Sequence, residues 1–157
     1  MTVDQPERGY LRVISERMVL DPAVVASAEQ AASRLGVSPQ GVSPVLAYLA
    51  NTIAVGGREV PYSTVAAVDF TSTPPLGPFP DAAGNAVPAL AEGEIALNRW
   101  TADQLDAQLG DTVRLAYFEP ESTHGEVRET TSEFRLAAIV DIAGAADDRA
   151  LCPRCAV

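Results

Sequence analysis

The amino-acid sequence predicts an α+β fold that contains two β-α-β-β units with mixed or antiparallel sheets. Three observations predict it: two short helical patterns, a hairpin pattern after each, and a proline-rich stretch between the halves. The first unit is expected over residues 8–70, the second over residues 94–142, and a flexible tail over residues 143–157. The halves share this order of elements but no sequence similarity, and a length of 157 residues indicates a single domain.

The first unit opens with an apolar run at residues 10–20, which predicts a strand. A helix follows, because Asp21 can cap it, Pro22 fits its first position and Gly36 fits just beyond its end. An apolar stripe at helical spacing predicts that this helix faces the core. The stripe comprises Val24, Ala28, Ala31, Ala32 and Leu35.

Two apolar runs on either side of Gly56-Gly57 predict a hairpin with a two-residue turn. Pro61 cannot donate a backbone hydrogen bond, so its strand is expected to lie at an edge or to carry a bulge. Residues 71–93 then contain five prolines and three glycines, and we call them the proline-rich segment. Leu76 and Phe79 are expected to anchor it to the body of the domain, the alternative being that they dock a partner.

The second unit begins with a short strand at residues 94–98. Thr101 and Gln104 have capping-box spacing, so a short helix is expected after it, and Gly110 is expected to end that helix. Leu105 and Leu109 would form its apolar pair. Residues 112–118 and 131–142 predict two further strands. Alternation in the last strand predicts one apolar face with Phe134, Leu136, Ala138, Val140 and Ile142.

Charge excludes several classes of partner. Eleven basic residues against 21 acidic ones give a net charge of −10, which repels phosphate backbones and anionic lipids. We therefore expect no binding to nucleic acid.

The longest uncharged run, residues 37–57, is broken by prolines and a glycine, so no membrane span is expected. The N-terminus lacks the apolar core of a signal peptide.

The residues suited to metal or proton chemistry are few. Glu119, Glu121, His124 and Glu126 lie between two predicted strands, where polar residues are typical of a hairpin tip. One histidine and scattered glutamates lack the spacing that fixes a zinc site. Cys152 and Cys155 form a C-x-x-C pair with no room for a following helix, so a tail is expected there. We predict no catalytic, cofactor-binding or metal-binding residues and no cofactor.

The run "GEIALNRWTADQLDAQLGDTVRLAYF…FRLAAIVD" resembles the extracytoplasmic domain of FtsX/MacB-like ABC transporter permeases. Such domains show a short strand ending in Asn, a small helix, a "GD" turn, a hairpin and a strand that returns toward the membrane. The segments "RGYLRVISERMVLDPAVVASAEQAA", "LAYLANTIAVGGREVPYSTVAAVD" and "PPLGPF" resemble a large-permease branch of planctomycete type. The resemblance covers roughly residues 8–150, although no single motif in it is highly specific.

The resemblance implies a non-enzymatic interaction or coupling domain on the extracytoplasmic side of the membrane. The implied partners are the remainder of the permease and its cytoplasmic ATPase, with the domain acting as a homodimer or a heterodimer. Family members carry membrane helices on both sides of this domain, and their sequence differs after "AADDRAL", where this chain has CPRCAV. The chain is accordingly expected to be a truncated or frameshifted piece of a permease, or an excised domain.

Two other classes stay open. The pattern "A-x-x-L…L-GD-x-V-x-L" also occurs in double-psi barrels, where it would predict a closed barrel with a concave ligand site. A small metal-dependent enzyme would instead require His124 to converge with carboxylates.

Overall fold

The structure is a computed structural model that describes residues 2–4, 9–14, 20–38, 41–119 and 128–148. The fold is α+β, as the sequence predicts, but the strand Thr2–Asp4 was not expected, and the predicted flexible tail begins with a 3-10 turn that buries Ala145. In chain order the elements are β1 (Thr2–Asp4), β2 (Arg12–Ile14), α1 (Pro22–Arg34), β3 (Leu46–Val55), β4 (Arg58–Ala67), β5 (Glu94–Asn98), α2 (Arg99–Leu105), β6 (Thr112–Phe118), β7 (Glu129–Val140) and a 3-10 turn (Gly144–Asp147).

Five strands form one mixed sheet in the order β4-β3-β6-β7-β5. β3 pairs antiparallel with β4 and β6, β6 pairs antiparallel with β7, and β5 runs parallel to β7. Within the described residues β4 and β5 are edges that do not pair with each other, so this sheet is open rather than closed into a barrel. β1 and β2 form a separate antiparallel pair.

The predicted hairpin around Gly56-Gly57 is confirmed, because Val55 pairs with Arg58 across the turn. Pro61 lies in β4, an edge strand, as its missing donor requires. The next residue, Tyr62, has a positive φ of 49°. Ala50 and Ile53 lie three residues apart yet belong to one buried cluster, so the alternation of β3 breaks near this point.

Two apolar clusters lie on opposite sides of the sheet, since the consecutive residues Ala96 and Leu97 of β5 contact different ones. The first cluster is covered by α2 and consists of Ala50, Ile53, Val55, Val60, Leu97, Ala102, Leu105, Val113, Leu115 and Leu136. The second lies under the proline-rich segment and the 3-10 turn, and consists of Phe79, Val87, Val140 and Ala145. Burying each large apolar side chain stabilises the fold by about 1.5–3 kcal/mol.

Helix α1 forms where the sequence predicts it, but the prediction that it faces the core is wrong. Asp21 Oδ1 accepts a hydrogen bond from the Ala23 backbone N–H at 2.8 Å, and Pro22 occupies the first turn. No α1 residue is buried against any described part of the chain. Leu35, at the end of the expected stripe, is 75% exposed. An alanine side chain has little apolar area to bury, so packing this stripe against the sheet would contribute little free energy.

Helix α2 corrects two further expectations. Its N-cap is Asn98 rather than Thr101, because Asn98 Oδ1 accepts from the Thr101 N–H at 2.8 Å while Thr101 itself is buried. The helix ends at Leu105, since Asp106 adopts a left-handed conformation with a φ of 53°. Leu109 therefore lies beyond the helix and is 65% exposed instead of pairing with Leu105.

The predicted single apolar face of β7 is interrupted. Leu136 pairs with Ile95 and Ala138 pairs with Ala96, so Ala137 is an extra residue in this ladder. Leu136 consequently joins the first cluster, whereas Ala138 and Val140 face the second. Ile142 lies beyond the strand and is 53% exposed.

The proline-rich segment has few regular elements but packs closely on the sheet. Phe79 is buried, and the centroid of its ring lies 4.9 Å from the centroid of the Phe70 ring. The Val87 N–H donates to the Phe79 carbonyl at 2.9 Å, and the Asp141 N–H donates to the Pro80 carbonyl at 2.9 Å. The expectation that Phe79 anchors this segment is confirmed, while Leu76 is half-buried and lies outside both clusters.

Candidate interaction surface

Most residues considered for metal or proton chemistry, namely Glu121, His124, Glu126, Cys152 and Cys155, lie outside the described residues. Glu119 follows β6 and is exposed, and its N–H donates to the Arg128 carbonyl at 2.8 Å. This bond extends the β6–β7 pair by one step, as expected for strands joined by a hairpin connection. Across the described ranges no three His, Cys, Asp or Glu side chains are grouped as metal ligands, and neither described helix is long and apolar enough to cross a bilayer.

One face of the sheet, on the side away from α2, is formed by cross-strand rows of β4, β3, β6 and β7, and we call it the open face. One row runs Glu59, Ala54, Arg114, Glu133, and the next runs Pro61, Thr52, Ala116, Thr131. Arg114 lies between Val113 and Leu115, which are both buried in the first cluster, so its side chain points to the other side. Glu59, Arg114, Thr131 and Glu133 are exposed. Charged and hydroxyl side chains therefore face solvent here.

The open face contains a depression of about 340 Å³, which we call the tyrosine depression. Two aromatic side chains border it: Tyr62 is 76% exposed and Phe118 is 44% exposed. The remaining lining residues are Asn51, Thr52, Pro61 and Glu129. Large aromatic side chains that remain this exposed beside a polar wall are typical of contact surfaces.

The backbone at Tyr62 is strained. A bulky residue in the left-handed region costs about 1–2 kcal/mol, and the exposed Tyr62 ring regains little of that through burial. Strain of this kind persists where the neighbouring structure determines the conformation. Here the residues on both sides of Tyr62 are fixed, because Pro61 pairs with Thr52 and Ser63 pairs with Ala50 in the β3–β4 ladder. Tyr62 is not among the residues that the sequence singles out for a function, although Pro61 within an edge strand marks this position as irregular.

The opposite wall of the tyrosine depression is fixed by hydrogen bonds. Asn51 Nδ2 donates to Glu129 Oε1 at 2.6 Å, which joins β3 to β7. The Tyr48 hydroxyl donates to the Phe118 carbonyl. The Tyr48 ring packs edge-on against the Tyr117 ring, with 5.8 Å between the ring centroids. These contacts tie β3 to the end of β6 and to the start of β7. Phe118 and Glu129 are cross-strand partners, so the Phe118 ring and the Glu129 carboxylate lie beside each other.

A second depression, of about 360 Å³, lies at the β3–β4 turn. The guanidinium of Arg58 lies 3.3 Å from the Asp106 carboxylate there. Both side chains are largely exposed, and an ion pair of this kind contributes about 1 kcal/mol or less. Asp111 Oδ2 accepts from the Gln108 N–H at 2.8 Å, so this carboxylate is occupied by the turn that it closes.

Three carboxylates have pKa values that local hydrogen bonds hold below the ordinary range. The Thr71 hydroxyl lowers the pKa of Asp69, the Asn85 backbone N–H lowers that of Asp81, and the Ala91 backbone N–H lowers that of Glu94. All three residues lie within or beside the proline-rich segment, and none lines the tyrosine depression. Their hydrogen bonds close turns, which explains the lowered pKa values without a catalytic role.

The sequence matches no protein-family model and no curated protein at a significant level. The chemistry of the described residues is therefore the basis for assigning a function.

Proposed function

We propose that this chain is a non-enzymatic interaction domain of an FtsX/MacB-like ABC transporter permease, on the extracytoplasmic side of the membrane. The observation that best supports this proposal is a contact between two residues near the two ends of the described fold. The Tyr10 hydroxyl donates to Asp148 Oδ2 at 2.6 Å, although 138 positions separate these residues. A domain inserted between two membrane-spanning segments needs its entry and exit close together, and this contact meets that requirement.

The residues that carry the resemblance have structural roles that support the proposal. Asn98, at the end of the short strand, caps α2. In the Gly110-Asp111 turn, the Gly110 N–H donates to the Leu136 carbonyl and the Leu136 N–H donates to the Asp111 carbonyl, each at 2.8 Å. The turn thereby fastens the start of β6 to β7. The "N…GD" pattern thus describes a strand, a small helix and a returning hairpin, in the order that the resemblance implies.

The open sheet also favours this proposal over the double-psi alternative, which needs a closed barrel around a concave site. A metal-dependent enzyme would need His124, which lies outside the described residues, and the described residues contain no group of three or more potential metal ligands.

The proposal is tested in the source organism with antibodies raised against this 16.5 kDa chain. The expected antigen sediments with membranes, is digested by protease added to intact spheroplasts, and co-precipitates with an ABC ATPase identified by mass spectrometry. A cytoplasmic marker that stays intact is the control for spheroplast integrity. An antigen that remains in the cytosol and resists external protease would refute the proposal.

A further inference from the structure

The tyrosine depression combines two chemical features that one ligand group can satisfy together. Tyr62 and Phe118 present exposed ring surface, and Glu129 presents a carboxylate whose Oε1 is held in place by Asn51. Aromatic faces attract cations through their quadrupole, and a carboxylate pairs with donors of positive charge. We propose that the tyrosine depression binds an arginine side chain presented by a segment of a partner protein.

Arginine fits better than lysine for geometric reasons. A guanidinium is planar, so it stacks on an aromatic ring while its edge donates two hydrogen bonds to a carboxylate. The ammonium of lysine is a compact and more strongly hydrated charge that cannot do both at once. Thr52 adds a hydroxyl to the same lining, and a hydroxyl oxygen can accept a further guanidinium N–H.

The charge of the surroundings favours a peptide-borne arginine over the free amino acid. Among the described lining residues there is no cation that would bind an α-carboxylate, and the chain carries a net charge of −10. In the neighbouring row of the open face, Glu59 and Glu133 outnumber Arg114, which stands directly opposite Glu133. A basic segment is attracted to such a surface, whereas a free carboxylate is repelled. Because β4 is an edge strand, an extended segment can approach along it. None of these features depends on the permease assignment.

The test is a titration of the ¹⁵N-labelled full chain with the peptide acetyl-Gly-Arg-Gly-amide, followed by NMR. We expect saturable shift changes centred on the amides of Asn51, Thr52, Tyr62, Phe118 and Glu129. The same peptide with citrulline, a neutral isostere of arginine, should bind at least about tenfold more weakly because it loses the charge-assisted hydrogen bonds. The lysine peptide should bind roughly threefold more weakly.

Variants separate this site from general attraction to an acidic protein. Glu129→Gln should weaken binding of the arginine peptide about fivefold, the effect of an exposed ion pair, whereas the control Glu92→Gln should change its affinity less than about twofold. Glu92 is an exposed carboxylate just before β5, at the opposite edge of the sheet from β4. Its substitution therefore removes the same charge at a site far from the tyrosine depression. Tyr62→Gly should weaken binding while leaving the melting temperature nearly unchanged, because the relief of the positive φ offsets the extra chain entropy that glycine loses on folding. A loss of binding without a loss of stability excludes unfolding as the cause.

Three outcomes would each overturn the proposal. One is the absence of saturable shifts at these residues up to about 20 mM peptide, a concentration that detects even very weak complexes. Another is equal affinity for the arginine and citrulline peptides. The third is an equal loss of affinity in Glu129→Gln and Glu92→Gln, which would show only diffuse electrostatic attraction.

Discussion

Helix α1 and the proline-rich segment have opposite relations between sequence pattern and packing. α1 has a capping residue, a proline in its first turn and a regular apolar stripe, yet it buries no side chain among the described residues. The proline-rich segment has no periodicity, yet it supplies Phe79 and Val87 to the second apolar cluster. Periodicity therefore predicted the conformation of the chain correctly in α1, but it did not predict which segment covers the sheet.

The difference follows from the side chains and from the topology. The α1 stripe is mostly alanine, which buries little apolar area, whereas one phenylalanine buries as much as several alanines. The proline-rich segment must also carry the chain from edge strand β4 to the opposite edge strand β5. A connection that crosses one side of a sheet can cover it, and Asp141 and Pro80 fasten it there by a backbone hydrogen bond.

The largest test of this comparison is Phe79→Ala. Phe79 is 5% exposed, so its truncation should lower the free energy of unfolding by about 3–5 kcal/mol through lost burial and a cavity. Leu35→Ala, at the end of α1, is the control, and it should cost less than about 0.5 kcal/mol because Leu35 is 75% exposed. Urea denaturation measures both. Equal losses would mean that α1 contributes to the core as much as the proline-rich segment does.

A smaller effect is expected for Gly77→Ala in the same segment. A Cβ at Gly77 would lie 2.1 Å from the Ser72 carbonyl oxygen, so the backbone must shift, at a cost of about 1–3 kcal/mol. Gly57→Ala is the matched control, since no atom lies within 4 Å of a Cβ there and its φ is not positive. Thermal unfolding should show a clear loss for Gly77→Ala and little change for Gly57→Ala. A Gly77→Ala variant as stable as the parent would show that this segment is loosely held.

The elements that the sequence predicted best are those fixed by local chemistry. β5 and β6 have the predicted bounds, and the Gly56-Gly57 turn lies where two glycines allow it. The errors arose where distant contacts decide. The extra residue at Ala137 depends on the register with β5, and Leu109 is exposed because Asp106 ends α2 early.

The tyrosine depression was not predictable from the sequence for the same reason. Asn51, Tyr62, Phe118 and Glu129 come from four strands, and no local spacing connects them. Only the pairing of β3 with β4 and β6, and of β6 with β7, brings them to one place. The left-handed conformation of Tyr62 likewise has no signal in the sequence beyond the neighbouring proline.

The finest comparison is between the caps of the two helices. Asp21 and Asn98 each accept a backbone N–H at 2.8 Å, in α1 and α2 respectively, and replacement of either by alanine should cost about 1 kcal/mol of helix stability. In Asn98→Ala this loss should lower the global free energy of unfolding, because α2 is part of the first cluster. In Asp21→Ala it should appear only as faster amide exchange within α1, since α1 can fray while the sheet stays folded. Urea denaturation and hydrogen exchange distinguish these results, and a global loss of about 1 kcal/mol in Asp21→Ala would show that α1 unfolds together with the sheet.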